Sequence, residues 1–188
     1  MSESAPELLR RFCVHGRYYR ARLGEREFNL RSHLELFEAD VGWPHAAHVV
    51  PDLVAIMMNP GGSRPLEGLD DKGWGRALPD RTQYQLMKLA LRAQERNVSI
   101  RHIRVINLSD LRTTKSAELF ATLPDLPDDR HSILSARRRA ELQAALGGAD
   151  VPVLRAWGLS PALTALATRA TELTQDRQVL GLTDNGVH

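Results

Sequence analysis

The chain has 188 residues, 43% of them hydrophobic and 26% charged, with a formal net charge of +2 at pH 7; this fits one folded domain with an ordinary core and excludes disorder driven by composition. No apolar run approaches the roughly 20 residues of a bilayer span, and the opening MSESAPELLRRF has no apolar signal core, so a soluble cytoplasmic protein without a membrane partner is expected. The single cysteine, Cys13, excludes an internal disulfide framework, a cluster held by several thiolates and a cysteine-rich zinc site.

In chain order, residues 1–45 carry an aromatic and basic stretch, FCVHGRYYRARL, a turn at Gly24 and a second segment, EFNLRSHLELF, which together predict a hairpin or an extended basic arm. Between residues 10 and 31, Arg10, Arg11, Arg17, Arg20, Arg22, Arg26 and Arg31 face only Glu25 and Glu27. The whole chain uses 22 Arg against 3 Lys, a bias explained either by genomic base composition or by recognition of phosphates and bases through planar guanidinium forks.

From residue 50 onward, apolar runs alternate with segments of helical period. LVAIMM (Leu53 to Met58) predicts a strand buried on both faces, ending at Asn59-Pro60-Gly61-Gly62. PDRTQYQLMKLALRAQERN predicts a helix capped by Asp80 with Gln83 bonding back to it. RHIRVINLS is the second strand, SILSARRRAELQAALGG a helix stopped by Gly147 and Gly148, VPVLRAWG the third strand, ALTALATRATEL a helix begun near Ser160-Pro161, and QVLGLT the fourth strand. The order βαβαβαβ predicts a single α/β domain, a three-layer sandwich around about four parallel strands, preceded by the N-terminal hairpin or arm.

Ligands of such sheets bind beyond the carboxyl ends of the strands. Those ends carry Asn59 to Ser63, Asn107 to Asp110, Trp157-Gly158 and Thr183 to Gly186. Neutral amides dominate this rim, and an amide offers a donor and an acceptor together, as the edge of a nucleobase requires. The phosphate loop, the dinucleotide fingerprint, the GxSxG elbow and the HExxH helix are all missing from the sequence, so no cofactor is expected. His45 and His48 have metal-like spacing but no clustered partner, and no metal site is expected.

Several of these segments carry a resemblance. IMMNPGGS resembles the first motif of the uracil-DNA glycosylase superfamily, especially the GINPG form of its mismatch-specific branch; VINLSDLR resembles the second-strand segment whose asparagine reads the base; VLRAWG resembles its apolar strand ending in Trp-Gly. NPGGSRPL, PDRTQYQLM, NLSDLR, AWG and LGLT together are also similar to an uncharacterised bacterial family grouped near these glycosylases, over about residues 50–186.

The resemblance implies hydrolysis of the N-glycosidic bond of uracil or another damaged base in DNA, with the nucleotide flipped out of the stack. Asn59 would hold the attacking water; an amide orients water but does not take its proton, which a dissociative path tolerates. Asn107 would read the base, Pro60, Gly61, Gly62 and Ser63 would line its pocket, Trp74 would stack on it, and Arg64 and Arg112 would bind phosphates. Turn-capping and core roles account for the same residue types. The superfamily's closing motif, whose histidine or asparagine stabilises the leaving base, has no full counterpart in LGLTDNGVH; the expectation is a truncated motif with His188 as its remnant and second catalytic residue. Two alternatives follow: a catalytically inactive nucleic-acid or nucleotide-binding module of the same fold, and a hydrolase of free nucleosides. DNA is the expected partner ahead of RNA, and a monomer the expected state.

Overall fold

The computed structural model describes residues 3–43 and 49–181. Helix α1 (Ala5–Arg11) is short and starts where Glu7 accepts from both the backbone N–H and the hydroxyl of Ser4. Strands β1 (Phe12–Leu23) and β2 (Arg26–Glu38) form a long hairpin, closed by a two-residue turn in which Gly24 has φ 62°. They are followed by β3 (Leu53–Met57), the short β4 (Arg64–Pro65) and β5 (Trp74–Leu78), helix α2 (Arg81–Gln94) and β6 (His102–Asn107). Then come α3 (Ser116–Thr122), α4 (Arg139–Leu146), β7 (Val153–Ala156), α5 (Thr164–Leu173) and β8 (Val179–Gly181).

All eight strands form one mixed sheet in the order β4-β5-β1-β2-β6-β3-β7-β8. The half β6-β3-β7-β8 is parallel, with Val54 opposite both Arg104 and Val153, and it contains the four strands expected from the apolar runs. The other half is antiparallel: it contains the N-terminal hairpin, one of the two expected alternatives, together with β4 and β5, which were not expected. The N-terminal hairpin docks β2 on β6, Leu34 opposite Val105 and Phe37 opposite His102, so it widens the sheet and does not hang free as an arm.

Helices cover both faces. On one, Leu86, Met87 and Ala90 of α2 pack on Leu53, Ala55, Met57, Ile103 and Val105, together with Phe12, Val14, Leu34 and Leu36 of the hairpin. On the other, Leu119 of α3, Leu142, Ala145 and Leu146 of α4 and Ala170 of α5 pack on Val54, Ile56, Ile106 and Val153. The strictly apolar β3 is fully buried along its length because it lies between these layers at the centre of the parallel half. No helix among the described residues is long and apolar enough to cross a membrane.

Two details set up the site. In the hairpin, Arg17 pairs with His33 but Tyr18 with Arg31, leaving Ser32 as an extra residue on β2. This bulge reverses the alternation: His33 and Glu35 face α4, whereas Arg31, with its partner Tyr18, faces α2. In the segment read as one helix from Ser132 to Gly148, only Arg139–Leu146 is α-helical. The hydroxyls of Ser132 and Ser135 accept from the backbone N–H groups of Leu134 and Arg137, an alternative to the helical ladder that holds residues 131–135 as a buried turn.

Candidate functional site

The loop after β3 leads toward α2 on one face, while those after β6 and β7 lead to helices on the other. The chain therefore parts at the carboxyl end of β3, the place where a crevice opens in sheets of this kind. Leu108 N–H donates to Met57 O (2.8 Å) and Ser109 N–H to Met58 O (3.2 Å), extending the β3–β6 ladder into the two loops. Asn59 then clamps them together: its Nδ2 donates to Thr113 O (2.9 Å), Thr113 Oγ1 (3.0 Å) and Leu111 O (3.3 Å).

Gly61 has φ 62°, and a Cβ on it would lie 2.7 Å from Asp80 Oδ2, so both the backbone conformation and the approach to the α2 cap require glycine. Ser63 is fully buried with its hydroxyl 3.4 Å from that of Tyr18. Arg112 donates from Nε to Ser63 O (3.2 Å) and lies over the Tyr18 ring, 5.1 Å from its centroid.

Asn107 is the last residue of β6 and is paired in register with Met57. It is 0% exposed, and neither Nδ2 nor Oδ1 has a hydrogen-bond partner. Strand alternation places it with Ile103 and Val105, on the α2 face. On the neighbouring strand and the same face, Arg31 is 1% exposed with Nε and Nη1 also unpartnered; burial pulls its guanidinium below the usual value, with Tyr18 and Asp80 opposing that shift. A fold satisfies nearly all its buried polar groups. Among the unsatisfied atoms, two of Asn107 and two of Arg31 lie at this strand end.

The opposite face is arranged differently. Asp110, 0% exposed, accepts from Tyr19 Oη (2.8 Å) and from Arg138 Nη1 (2.6 Å). Arg138 also holds Glu141 through Nε (2.8 Å) and Nη2 (2.9 Å). Burial pushes the Asp110 carboxyl up to about 6 against the pull of Arg138, and burial together with Asp110 raises Tyr19. A cavity of about 480 Å³ lies beside this network, lined by His33, Trp74, Arg104 and Glu141 among others.

The structure brings Asn59, Pro60, Gly61, Gly62, Ser63, Asn107 and Arg112 to one strand end, as expected. One expectation needs correction. Trp74 lies in β5 with its ring 6.2 Å from that of His33, on the α4 face, and so is on the wrong side of the sheet to stack on anything held by Asn107. Arg64 is exposed on the edge strand β4, pairing with Leu78, and directly follows Ser63, whose carbonyl oxygen accepts from Arg112. His188, the expected second catalytic residue, lies outside the described residues, as do His45 and His48.

Sequence reasoning missed Tyr18, Arg31 and Asp80 as members of this site. The aromatic and basic stretch contains Tyr18 and the count of arginines between residues 10 and 31 contains Arg31, but the bulge that turns Arg31 inward leaves no sequence signal. No group of three or more His, Cys, Asp or Glu side chains among the described residues is placed to hold a metal ion. No family model, curated protein or solved structure matches the chain.

Proposed function

We propose that this protein is a glycosylase of the uracil-DNA glycosylase type, which binds an extruded nucleobase at the carboxyl end of β3 and β6 and hydrolyses its N-glycosidic bond. The observation that carries the reading is Asn107, whose buried amide keeps both its donor and its acceptor unspent. A group that offers an N–H beside a carbonyl, as the imide edge of uracil does, satisfies both at once. Two further features support it: the parallel order β6-β3-β7-β8, in which the chain parts at the carboxyl end of β3, and the motifs of Asn59 and Asn107 that meet at that end.

The residues divide the work by chemistry. Asn107 reads the base. Asn59 spends its Nδ2 on the Thr113 loop, which fixes the amide plane and leaves Oδ1 to orient a water. It remains a positioning group, because an amide does not take the proton of that water. Arg112, stacked on Tyr18 at the same end, supplies a cation for a flanking phosphate.

Alkaline strand scission of uracil-containing single- and double-stranded oligonucleotides tests this. Wild type is expected to yield cleaved strand, and Asn107→Ala to lower the rate by about 10²-fold or more, since a site built to hydrogen-bond its substrate loses most when that bond is removed. Equal background from both proteins overturns the reading.

A second reading, a binding module without chemistry, draws on Asn59: the rim position nearest the bond to be broken carries an amide already anchored to its own loop. It predicts DNA retention that weakens steeply with salt and no base release at any salt.

A further inference from the structure

Arg31 is the one feature of this strand end that base reading and water positioning leave unused. Burying a guanidinium without an anion is among the costlier things a fold does. Yet the carboxylates nearest to it electrostatically, Asp80 and Asp110, form no hydrogen bond with it, and each binds other donors through one of its oxygens. Asp80 Oδ1 accepts from the N–H groups of Thr82 (2.9 Å) and Gln83 (3.4 Å), and Asp110 Oδ2 accepts from Tyr19 and Arg138. The bulge at Ser32 sharpens the point. With unbroken alternation Arg31 would share the face of His33 and Glu35, where Glu35 and Glu141 lie; the extra residue turns it instead toward the face of Asn107, where both its Nε and its Nη1 remain without a partner.

We infer that Arg31 takes up the negative charge of the departing base. The inference rests on the glycosylase reading. As the C1′–N bond breaks, its electron pair stays on the base ring nitrogen and spreads to the exocyclic oxygens; Arg31 N–H groups donate to that anion. Water adds through oxygen to C1′ and gives up one proton, which ends on the base, so the products are the neutral base and a sugar bearing a C1′ hydroxyl. The guanidinium keeps its protons throughout, because it is too weak an acid to protonate the base. A donor already desolvated and held by packing acts on developing charge without reorganising, the condition under which such groups contribute most.

The test compares wild type, Arg31→Met and Arg31→Lys on oligonucleotides carrying uracil or 5-fluorouracil, whose anion leaves more easily. Arg31→Met is expected to melt above wild type, since an unpaired buried charge is removed. It should release uracil about 10²–10³-fold more slowly, and its deficit on 5-fluorouracil should be about tenfold smaller. Arg31→Lys is expected to bring back part of the rate and the wild-type dependence on the leaving base. An equal deficit on both bases, or a melting temperature of Arg31→Met below wild type, overturns this role while leaving the glycosylase reading in place. Wild type releasing neither base overturns both.

Discussion

His33 shows how one bulge sorts side chains by chemistry. Lying just after Ser32, it is turned toward α4, its Nδ1 2.9 Å from Ser32 Oγ and 3.8 Å from Glu141 Oε1. Burial lowers its pKa from 6.5 to about 4, with Glu35 and Glu141 pulling weakly the other way. Because the folded value lies below the unfolded one, the neutral ring favours the fold; that contribution is complete above pH 6.5 and is lost as pH falls toward 4, at up to about 1.4 kcal/mol per pH unit. His15, stacked on Trp43, behaves alike, lowered to about 4 by burial and by Arg76. Thermal unfolding followed between pH 7 and 4 is therefore expected to show a melting temperature that falls on acidification, and His33→Asn should make the fall shallower. A variant with the wild-type slope would show that His33 does not titrate in this window. At the same scale, the contrast between Asn59 and Asn107 is instructive: both are rim amides in the sequence, but one spends its donor on Thr113 and the other spends nothing.

Among the elements, α2 links stability to the site. Its cap, Asp80, accepts from the N–H groups of Thr82 and Gln83, while Gln83 Oε1 accepts from Asp80 N–H. That reciprocal pattern was legible in PDRTQ, because capping is a local hydrogen-bond requirement met by residues three apart. The packing of Gly61 against the same carboxylate was not legible, since it joins positions distant in the chain. Asp80→Ala is expected to cost about 0.5–2 kcal/mol of stability, and Asp80→Asn much less, because asparagine still caps. Chemical denaturation of the three proteins checks this. A cost for Asp80→Asn as large as for Asp80→Ala would mean that the charge, not the cap, is what α2 needs.

For the molecule as a whole, the central finding is that the hairpin belongs to the sheet. Leu34 and Leu36 of β2 are buried with Leu53, Ala55 and Ile103, and Glu35 is 0% exposed between His102 Nε2 (2.7 Å) and Arg104 Nε (2.6 Å). Removing residues 1–43 would uncover the long edge of β6 and leave Arg104 buried without its carboxylate, a change of the kind that costs about 3–5 kcal/mol by itself. A chain of residues 44–188 is therefore expected to show no cooperative thermal transition, whereas loss of a dispensable arm would leave the transition intact. Circular dichroism on the truncated chain distinguishes the two.

The parallel half of the fold was determined by the sequence itself. The apolar run of β3 reads as a strand buried on both faces, and helical stretches between the apolar runs call for parallel crossovers, so β3, β6, β7 and β8 and the convergence of Asn59 with Asn107 followed from local pattern. What tertiary structure alone decided was pairing between distant segments and the facing of side chains within them. The docking of β2 on β6, the placement of Trp74 on the far face and the inward turn of Arg31 each depend on register, and one extra residue in a strand reverses every assignment beyond it. Composition carries no record of such a shift, which is why the buried cation at the candidate site emerged only once Ser32 was seen to stand outside the ladder.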